Sequence, residues 1–242
     1  MEEIPVEAPL PPALAAPPDS PRPIASPWHT LAIIAIQARL AYRGKANADR
    51  LLALAHADRI ALYERTMFFE WLMLGLVLVG VWWHGSSLLA VLGARWRSLR
   101  DFLRDLGIGV LFLVVTISMS SFLNYNFSHG AQSSAARAIL PQGRIEMWFW
   151  VALSLSAGIC EEGIYRGYLQ RQFIAFTGSI PAGILLSAIA FGAAHSYQGL
   201  SHAVQIGVLG VLGGILAYRC RSLRPGMIAH TLQDLIGGFA QH

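Results

Sequence analysis

The stretch MWFWVALSLSAGICEEGIYRG, residues 147–167, carries two adjacent glutamates and an arginine directly behind an uncharged, largely apolar run. The uncharged run, residues 147–160, is typical of a membrane-spanning helix, whereas Glu161, Glu162 and Arg166 are residues that lipid rejects. A charge at the centre of a bilayer costs at least ~2.5–3.5 kcal/mol. Ionisable residues in such a helix therefore face the interior of a bundle or a wet cavity, and they indicate a functional site.

The composition of the whole chain also indicates a membrane protein. Of its 242 residues, 55% are hydrophobic and 13% are charged, and the mean hydropathy is +0.49. Soluble domains carry about 25% charged residues. Lys and Arg together number 18 against 14 Asp and Glu, but no basic surface interleaved with aromatic residues accompanies this excess. We therefore expect a lipid bilayer as the partner of the basic residues, and no nucleic acid.

Six apolar stretches predict membrane-spanning helices, and no stretch shows the alternation typical of a strand. The predicted spans are at about 66–84, 106–124, 145–165, 179–198, 202–218 and 225–241. Residues 28–44 are apolar but short, so we expect a weak or interfacial helix there, followed by an amphipathic helix over 46–65. The predicted fold is all-α: a polytopic bundle of six or seven membrane helices.

Three regions follow from this pattern. Residues 1–27 hold nine of the twelve prolines and predict a disordered, proline-rich tail, which lacks the features of a signal peptide. Residues 28–144 would form N-terminal interfacial and membrane helices. Residues 145–242 would form the membrane core that carries the ionisable residues.

Arginines are concentrated in three loops that share one side of the membrane if the spans alternate. These loops, 85–105, 166–178 and 219–224, hold nine arginines, which predicts that their side is cytoplasmic. Residues 39–65 carry six further Lys and Arg residues and would fall on the opposite side. The orientation therefore stays open at the level of the sequence.

The ionisable residues of the core stand at helical spacing. Three pairs are four residues apart, so each pair shares a helix face: Glu162 with Arg166, Phe191 with His195, and His230 with Asp234. If the turn near Gly178 is the tip of a hairpin, Glu161 and His195 each lie 17 residues from it and at the same depth. This requires one long helix from about 145 to 176. The same counting puts His230 roughly 10 Å from that level, and Asp234 roughly 5 Å from it.

A carboxylate and an imidazole at one depth can hold a water molecule between them. Either group can take a proton from that water, and the resulting hydroxide can attack a carbonyl carbon. A second imidazole with a polar neighbour, here His230 with Asp234, could stabilise the oxyanion that follows. The residues therefore predict hydrolysis within the membrane, with Glu161 and His195 activating the water.

Three motifs carry a resemblance to a known family: EEGIYR at 161–166, FGAAH at 191–195 and HTLQD at 230–234. They are similar to the motifs EExxxR, FxxxH and Hxxx(N/D) of the CAAX-prenyl-protease and bacteriocin-processing (CPBP) family, also called type II CAAX proteases or Abi-like proteins. HSYQG after the second motif and SLRPGMIAH leading into the third also resemble bacterial members. The resemblance covers about residues 145–240.

The resemblance implies an intramembrane endopeptidase that cuts a membrane-associated peptide or protein, and a location in the inner membrane of a bacterium. The catalytic residues would be Glu161, His195, His230 and Asp234, and the supporting residues Glu162, Arg166 and Phe191. Glu161 and His195 would activate the water, while His230 and Asp234 would bind the oxyanion or orient the substrate. Many members have asparagine where this chain has Asp234, and an aspartate can donate a hydrogen bond only when protonated.

Alternatives remain open for the cofactor and for the function. Glu161, His195 and His230 could form a catalytic zinc set, although no HExxH motif is present. The family is often described as glutamate-dependent without metal, so we expect no cofactor, with zinc as the alternative. The protein could instead be a non-catalytic membrane protein that binds peptides, such as an immunity factor. A proton-coupled transporter is disfavoured because the chain shows no inverted repeat.

Overall fold

The chain folds into a bundle of helices. The computed structural model describes residues 22–53, 58–93, 95–127 and 137–240, and these ranges contain no strand. The helices are, in chain order, α1 (Pro27–Ala53), α2 (Arg59–Trp83), α3 (Leu89–Leu92), α4 (Leu99–Phe127), α5 (Arg144–Glu161), a π-helix (Glu162–Leu169), α6 (Gln170–Thr177), α7 (Ile180–Ala194), a 3₁₀-helix (Ser196–Gln198), α8 (Leu200–Cys220) and α9 (Arg224–Phe239). The prediction of an all-α fold is confirmed.

Three of these helices, α2, α4 and α8, are long and apolar enough to cross a membrane. α7 is also apolar but has only 15 residues. Large apolar side chains on the candidate spans are exposed, among them Val79 of α2 and Leu111 of α4, as lipid contact requires. The protein is therefore an integral membrane protein. The other stretches predicted as spans form helices that are shorter or that carry more charged residues, within the described part of the chain.

The N-terminal helices divide differently from the sequence prediction. α1 runs as one helix through residue 53, so the boundary expected at residues 44–46 is wrong. α2 begins at Arg59, where the side chain of Asp58 accepts a hydrogen bond from the backbone N–H of Ala61 at 3.0 Å. Aspartate is a favoured N-cap because its oxygen pairs one of the free N–H groups of the first turn.

Residues 22–26 are ordered, although they fall in the stretch for which we predicted a disordered tail. The backbone N–H groups of Ile24 and Ala25 donate to Oε1 of Gln172, at 2.7 and 3.3 Å, and Nε2 of Gln172 donates back to the carbonyl of Ala25 at 2.9 Å. All three residues are buried. This segment is therefore held against α6, while residues 1–21 lie outside the described residues.

Residues 144–177 form one continuous helix, as the hairpin geometry required. Its central part is the π-helix, in which every residue is buried. Glycines let neighbouring segments approach this part: a Cβ on Gly167 would overlap the carbonyl oxygen of Val91, and one on Gly163 would lie 3.0 Å from Cδ1 of Leu74. α2 and α3 therefore pack directly on the π-helix. Such segments are rare and are frequently found at functional sites.

The hairpin turns where the sequence predicted. Gly178 ends α6 with φ at 65°, a left-handed conformation that glycine adopts without steric cost. Ser179 then caps α7, and Pro181 occupies the first turn of that helix, where a missing N–H costs little. The chain thus returns along α7 toward the level of the glutamates.

Candidate functional site

The three predicted motifs meet in one place. Nε2 of His195 lies 3.9 Å from Oε1 of Glu161, and Nε2 of His230 lies 3.5 Å from Oε2 of the same carboxylate. Nε2 of His230 is also 3.7 Å from Oδ2 of Asp234. The side chains of Glu161, His195 and His230 are only 16–18% exposed. The cluster is therefore largely screened from the surroundings but still accessible.

His230 is closer to Glu161 than helix counting predicted, so the expected offset of roughly 10 Å is wrong. α9 packs mainly against α4 and α5 rather than against α8, so its depth is not set by the helix that precedes it. The contact with α5 is close because Gly158 has no side chain. A Cβ at Gly158 would overlap Oγ1 of Thr231 and lie 2.9 Å from the carbonyl oxygen of Met227.

The imidazole of His195 is held in a defined orientation. Its Nδ1 is 2.9 Å from the carbonyl oxygen of Phe191. Since a carbonyl oxygen only accepts, Nδ1 carries the hydrogen, and Nε2 is the nitrogen that faces Glu161. The ring of Tyr197 stacks on His195 with centroids 6.1 Å apart, and Nε2 of Gln198 donates to the Tyr197 hydroxyl at 2.9 Å.

Glu162 lies behind the cluster and is paired with an arginine. Nη1 of Arg166 is 3.0 Å from Oε1 of Glu162, and both side chains are almost fully buried. Nδ1 of His230 is 3.4 Å from the same oxygen. The Arg166 guanidinium also lies over the ring of Phe191, 4.3 Å from its centroid. The buried ion pair therefore fixes the neighbours of Glu161 on two sides.

A cavity of about 810 Å³ opens beside the cluster. Glu161, His195, His230 and Asp234 line one part of it, whereas Glu162 does not. Much of the remaining wall comes from α1 and α2, mostly through apolar side chains such as Met73. Its volume falls in the range of ligand clefts, about 300–1,000 Å³. The N-terminal helices therefore build a site together with the segment that carries the motifs.

Glu70 of α2 lines the same cavity, although we assigned it no role from the sequence. Its Oε2 atom is buried and makes no hydrogen bond within the described residues, as is also the case for Oε2 of Glu161. A buried carboxylate oxygen without a partner is costly, so such atoms call for an explanation. The signal that could have revealed Glu70 was a lone acid in the predicted span 66–84, which is the kind of signal that pointed to Glu161.

The donor types of Glu161, His195 and His230 would suit a catalytic zinc site. Within the described ranges, however, no group of three or more His, Cys, Asp or Glu side chains has an arrangement that could hold a metal ion. The two imidazoles approach different oxygens of Glu161, and His230 also faces the carboxylates of Glu162 and Asp234.

A comparison with protein families agrees with the motifs. Residues 143–236 match the family model described as type II CAAX prenyl endopeptidase Rce1-like. No curated protein and no solved structure matches the chain. The matched segment contains all three motifs and begins just before α5, whereas α1, α2 and α4 lie outside it. Residues 143–236 therefore match an Rce1-like domain of the type II CAAX prenyl endopeptidases, a family of proteases, and the resemblance inferred from the motifs is confirmed.

Proposed function

We propose that the protein is an intramembrane endopeptidase that hydrolyses a peptide bond of a membrane-associated peptide or protein. The observation that carries the proposal is the meeting of Glu161 with His195 and His230 at the wall of one cavity, at 3.9 and 3.5 Å. Membership of a protease family supports a peptidase in general. The resemblance of the flanking sequences to bacterial members supports the inner membrane of a bacterium as its location.

In the proposed reaction, Glu161 and His195 activate a water molecule. Oε1 of Glu161 and Nε2 of His195 are 3.9 Å apart, so one water oxygen can lie about 2.8 Å from both. Nε2 of His195 accepts a hydrogen bond from the water, because the ring hydrogen is on Nδ1, which donates it to the carbonyl oxygen of Phe191. The Glu161 carboxylate takes the other proton as the water oxygen bonds to the carbonyl carbon of the peptide. The electron pair of the C=O bond moves onto oxygen and leaves an oxyanion.

His230 is the group we propose to stabilise that oxyanion. Carboxylates of Glu161, Glu162 and Asp234 surround it at 3.4 to 3.7 Å, and an imidazolium can donate hydrogen bonds from both ring nitrogens. Asp234 adds a hydrogen bond only in its protonated form. When the intermediate collapses, the proton held by Glu161 passes to the amide nitrogen, the C–N bond breaks, and a carboxylic acid and an amine are formed. The remaining hydroxyl proton then passes from the acid to the amine, which gives a carboxylate and an ammonium group.

Glu70 is proposed as a contact of the substrate rather than as a second base. Its buried Oε2 has no hydrogen-bond partner within the described chain, and the residue lines the cavity. A backbone N–H of a bound peptide would supply the missing partner and remove the cost of leaving that oxygen unpaired. The apolar walls from α1 and α2 suit an apolar or lipidated segment of the substrate.

The test is cleavage of a quenched fluorescent peptide library by the purified full-length protein in detergent. Glu161→Gln and His195→Asn should each lower the rate by about 10²–10⁴-fold, the usual contribution of a general base. Glu64→Gln and His84→Gln are matched controls, because both residues are exposed and neither lines the cavity. If all variants cleave as fast as the wild type, the assigned roles are wrong.

Two further outcomes of the same assay separate the alternatives. Peptide binding without cleavage by the wild type would favour the non-catalytic protein. An unchanged rate in the presence of a strong chelator would support a reaction that uses protein groups alone. Loss of the rate with the chelator, followed by recovery on addition of Zn²⁺, would favour zinc held by Glu161, His195 and His230.

A further inference from the structure

A second cavity, of about 700 Å³, has four arginines among the residues that line it. The arginines that line it come from the π-helix, from α6, from the end of α8 and from the turn that follows: Arg166, Arg171, Arg219 and Arg221. The described residues that line this cavity include no aspartate and no glutamate. A concave site lined by charges of one sign concentrates the field and attracts a counter-ion.

The cavity lies at one end of the bundle. The last residues of the candidate span α8 line it, so it is at a membrane surface rather than in the hydrocarbon. Nε of Arg224, at the start of α9, is 2.7 Å from Oδ2 of Asp105 near the start of α4, so the ends of these three helices share one face. This face carries the three arginine-rich loops, and arginines at a membrane surface attract the headgroups of anionic phospholipids.

Two of the four arginines are fixed in place by the fold. The Arg166 guanidinium is buried, and Gly213 leaves it room, because a Cβ there would lie 3.0 Å from Nη2. Arg221 is the C-cap of α8 and adopts φ of 50°, the left-handed conformation in which helices commonly end. Among the residues that the structure describes, no ion pair joins Arg219 or Arg221 to a carboxylate.

We propose that this cavity binds a phosphate group, supplied either by the headgroup of an anionic phospholipid or by free phosphate. Guanidinium groups pair with phosphate oxygens through two parallel N–H···O bonds, which favours arginine at such sites. The volume is sufficient for a phosphoglycerol headgroup. The inference does not depend on the proposed protease activity, although Arg166 belongs both to this cavity and to the ion pair with Glu162.

The experiment measures binding of fluorescent phosphatidylglycerol to the purified full-length protein in neutral detergent, with phosphatidylcholine for comparison. The double variant Arg219→Gln/Arg221→Gln should bind phosphatidylglycerol about 25-fold more weakly, since each arginine near an anionic headgroup contributes about fivefold. The matched control is Arg97→Gln/Arg100→Gln, which removes two exposed arginines of the same predicted face that do not line the cavity. It should bind like the wild type.

Inorganic phosphate distinguishes the two sources of the ligand. If inorganic phosphate binds to the wild type but not to Arg219→Gln/Arg221→Gln, the ligand is the free anion. If phosphatidylglycerol binds in preference to phosphatidylcholine and inorganic phosphate does not displace it, the ligand is the lipid. Equal affinity of the two double variants for phosphatidylglycerol would overturn the proposal, as would a wild type that does not prefer it to phosphatidylcholine. Arg219→Lys/Arg221→Lys keeps the charges and should retain intermediate affinity. Thermal unfolding of the lysine variant and of the glutamine variant shows whether each protein is folded.

Discussion

Replacing Gly158 with alanine should disrupt the catalytic cluster without changing any group that reacts. Gly158 lies on α5 about one turn before Glu161, where α9 packs closely on α5. The added Cβ would overlap Oγ1 of Thr231 and lie 2.9 Å from the carbonyl oxygen of Met227. The threonine side chain can rotate, but the carbonyl belongs to the backbone of α9, so the helix itself must move.

The size of the effect follows from that displacement. Restoring an ordinary contact to the Met227 oxygen requires α9 to shift by roughly 0.5 Å, because non-bonded heavy atoms pack at about 3.5 Å. His230 moves with α9, and its 3.5 Å separation from Glu161 increases accordingly. A misplacement of about 1 Å can cost a rate of about 10²-fold, so we expect kcat to fall roughly ten- to a hundredfold. Overpacking would also cost about 1–3 kcal/mol of stability, against a gain of about 1 kcal/mol in helix propensity.

The assay is kcat on a peptide identified from the library, together with thermal unfolding of each variant in detergent. Gly107→Ala is the matched control, since it makes the same substitution on the candidate span α4 and its Cβ would meet nothing within 4 Å. Gly158→Ala/Thr231→Ala removes the overlap with Oγ1 but leaves the contact with the Met227 carbonyl, so its kcat should stay close to that of Gly158→Ala. Equal kcat values for Gly158→Ala and Gly107→Ala would refute the idea that this helix contact sets the position of His230.

Substitutions at Glu70, at the Arg166–Glu162 pair and at Tyr197 test other parts of the site. Glu70→Gln should raise KM about tenfold with little change in kcat, measured by steady-state kinetics, because a substrate contact is weakened while the reacting groups stay; a fall in kcat alone would contradict this role. Arg166→Gln should lower the free energy of unfolding by about 3–5 kcal/mol, because it leaves the buried Glu162 carboxylate unpaired. Thermal or denaturant unfolding measures this loss, and the double variant Arg166→Gln/Glu162→Gln should recover part of it. Tyr197→Phe should keep the kcat of the wild type, because the Tyr197 hydroxyl accepts a hydrogen bond from Gln198 and not from a residue of the cluster. Tyr197→Ala should lower kcat several-fold, because the ring stacks on His195.

The features predicted correctly from the sequence are those that depend on one helix or one turn. The equal depth of Glu161 and His195 in the bundle could be predicted, because the rise per residue is the same on both arms of the hairpin. Gly178 lies at the tip of this hairpin, and the two side chains meet as expected. The depth of His230 could not be predicted in this way, because it depends on how closely two helices approach, and Gly158 decides that approach. No local pattern indicates such a contact.

The ordered segment before α1 was missed for a similar reason. Prolines in residues 1–27 predicted disorder, and this composition is a property of the segment alone. What orders Ile24 and Ala25 is the amide of Gln172, a side chain almost 150 positions further along the chain. Glu70 differs from these cases, because the sequence shows directly that it is an acidic residue within an apolar run. A single acidic residue outside any motif does not indicate, however, which cavity it lines.

The adjacency of Glu161 and Glu162 has a physical consequence for the division of roles between them. Neighbouring side chains on a helix diverge by about 100°, so the two carboxylates cannot both face the cavity. Yet both reach His230, because its two ring nitrogens face different directions: Nε2 is 3.5 Å from Glu161 and Nδ1 is 3.4 Å from Glu162. Two glutamates four residues apart would share one face, and both would line the cavity. The adjacent pair instead leaves Glu161 available to a water molecule, while Glu162 is buried with Arg166 and holds the opposite side of the same imidazole.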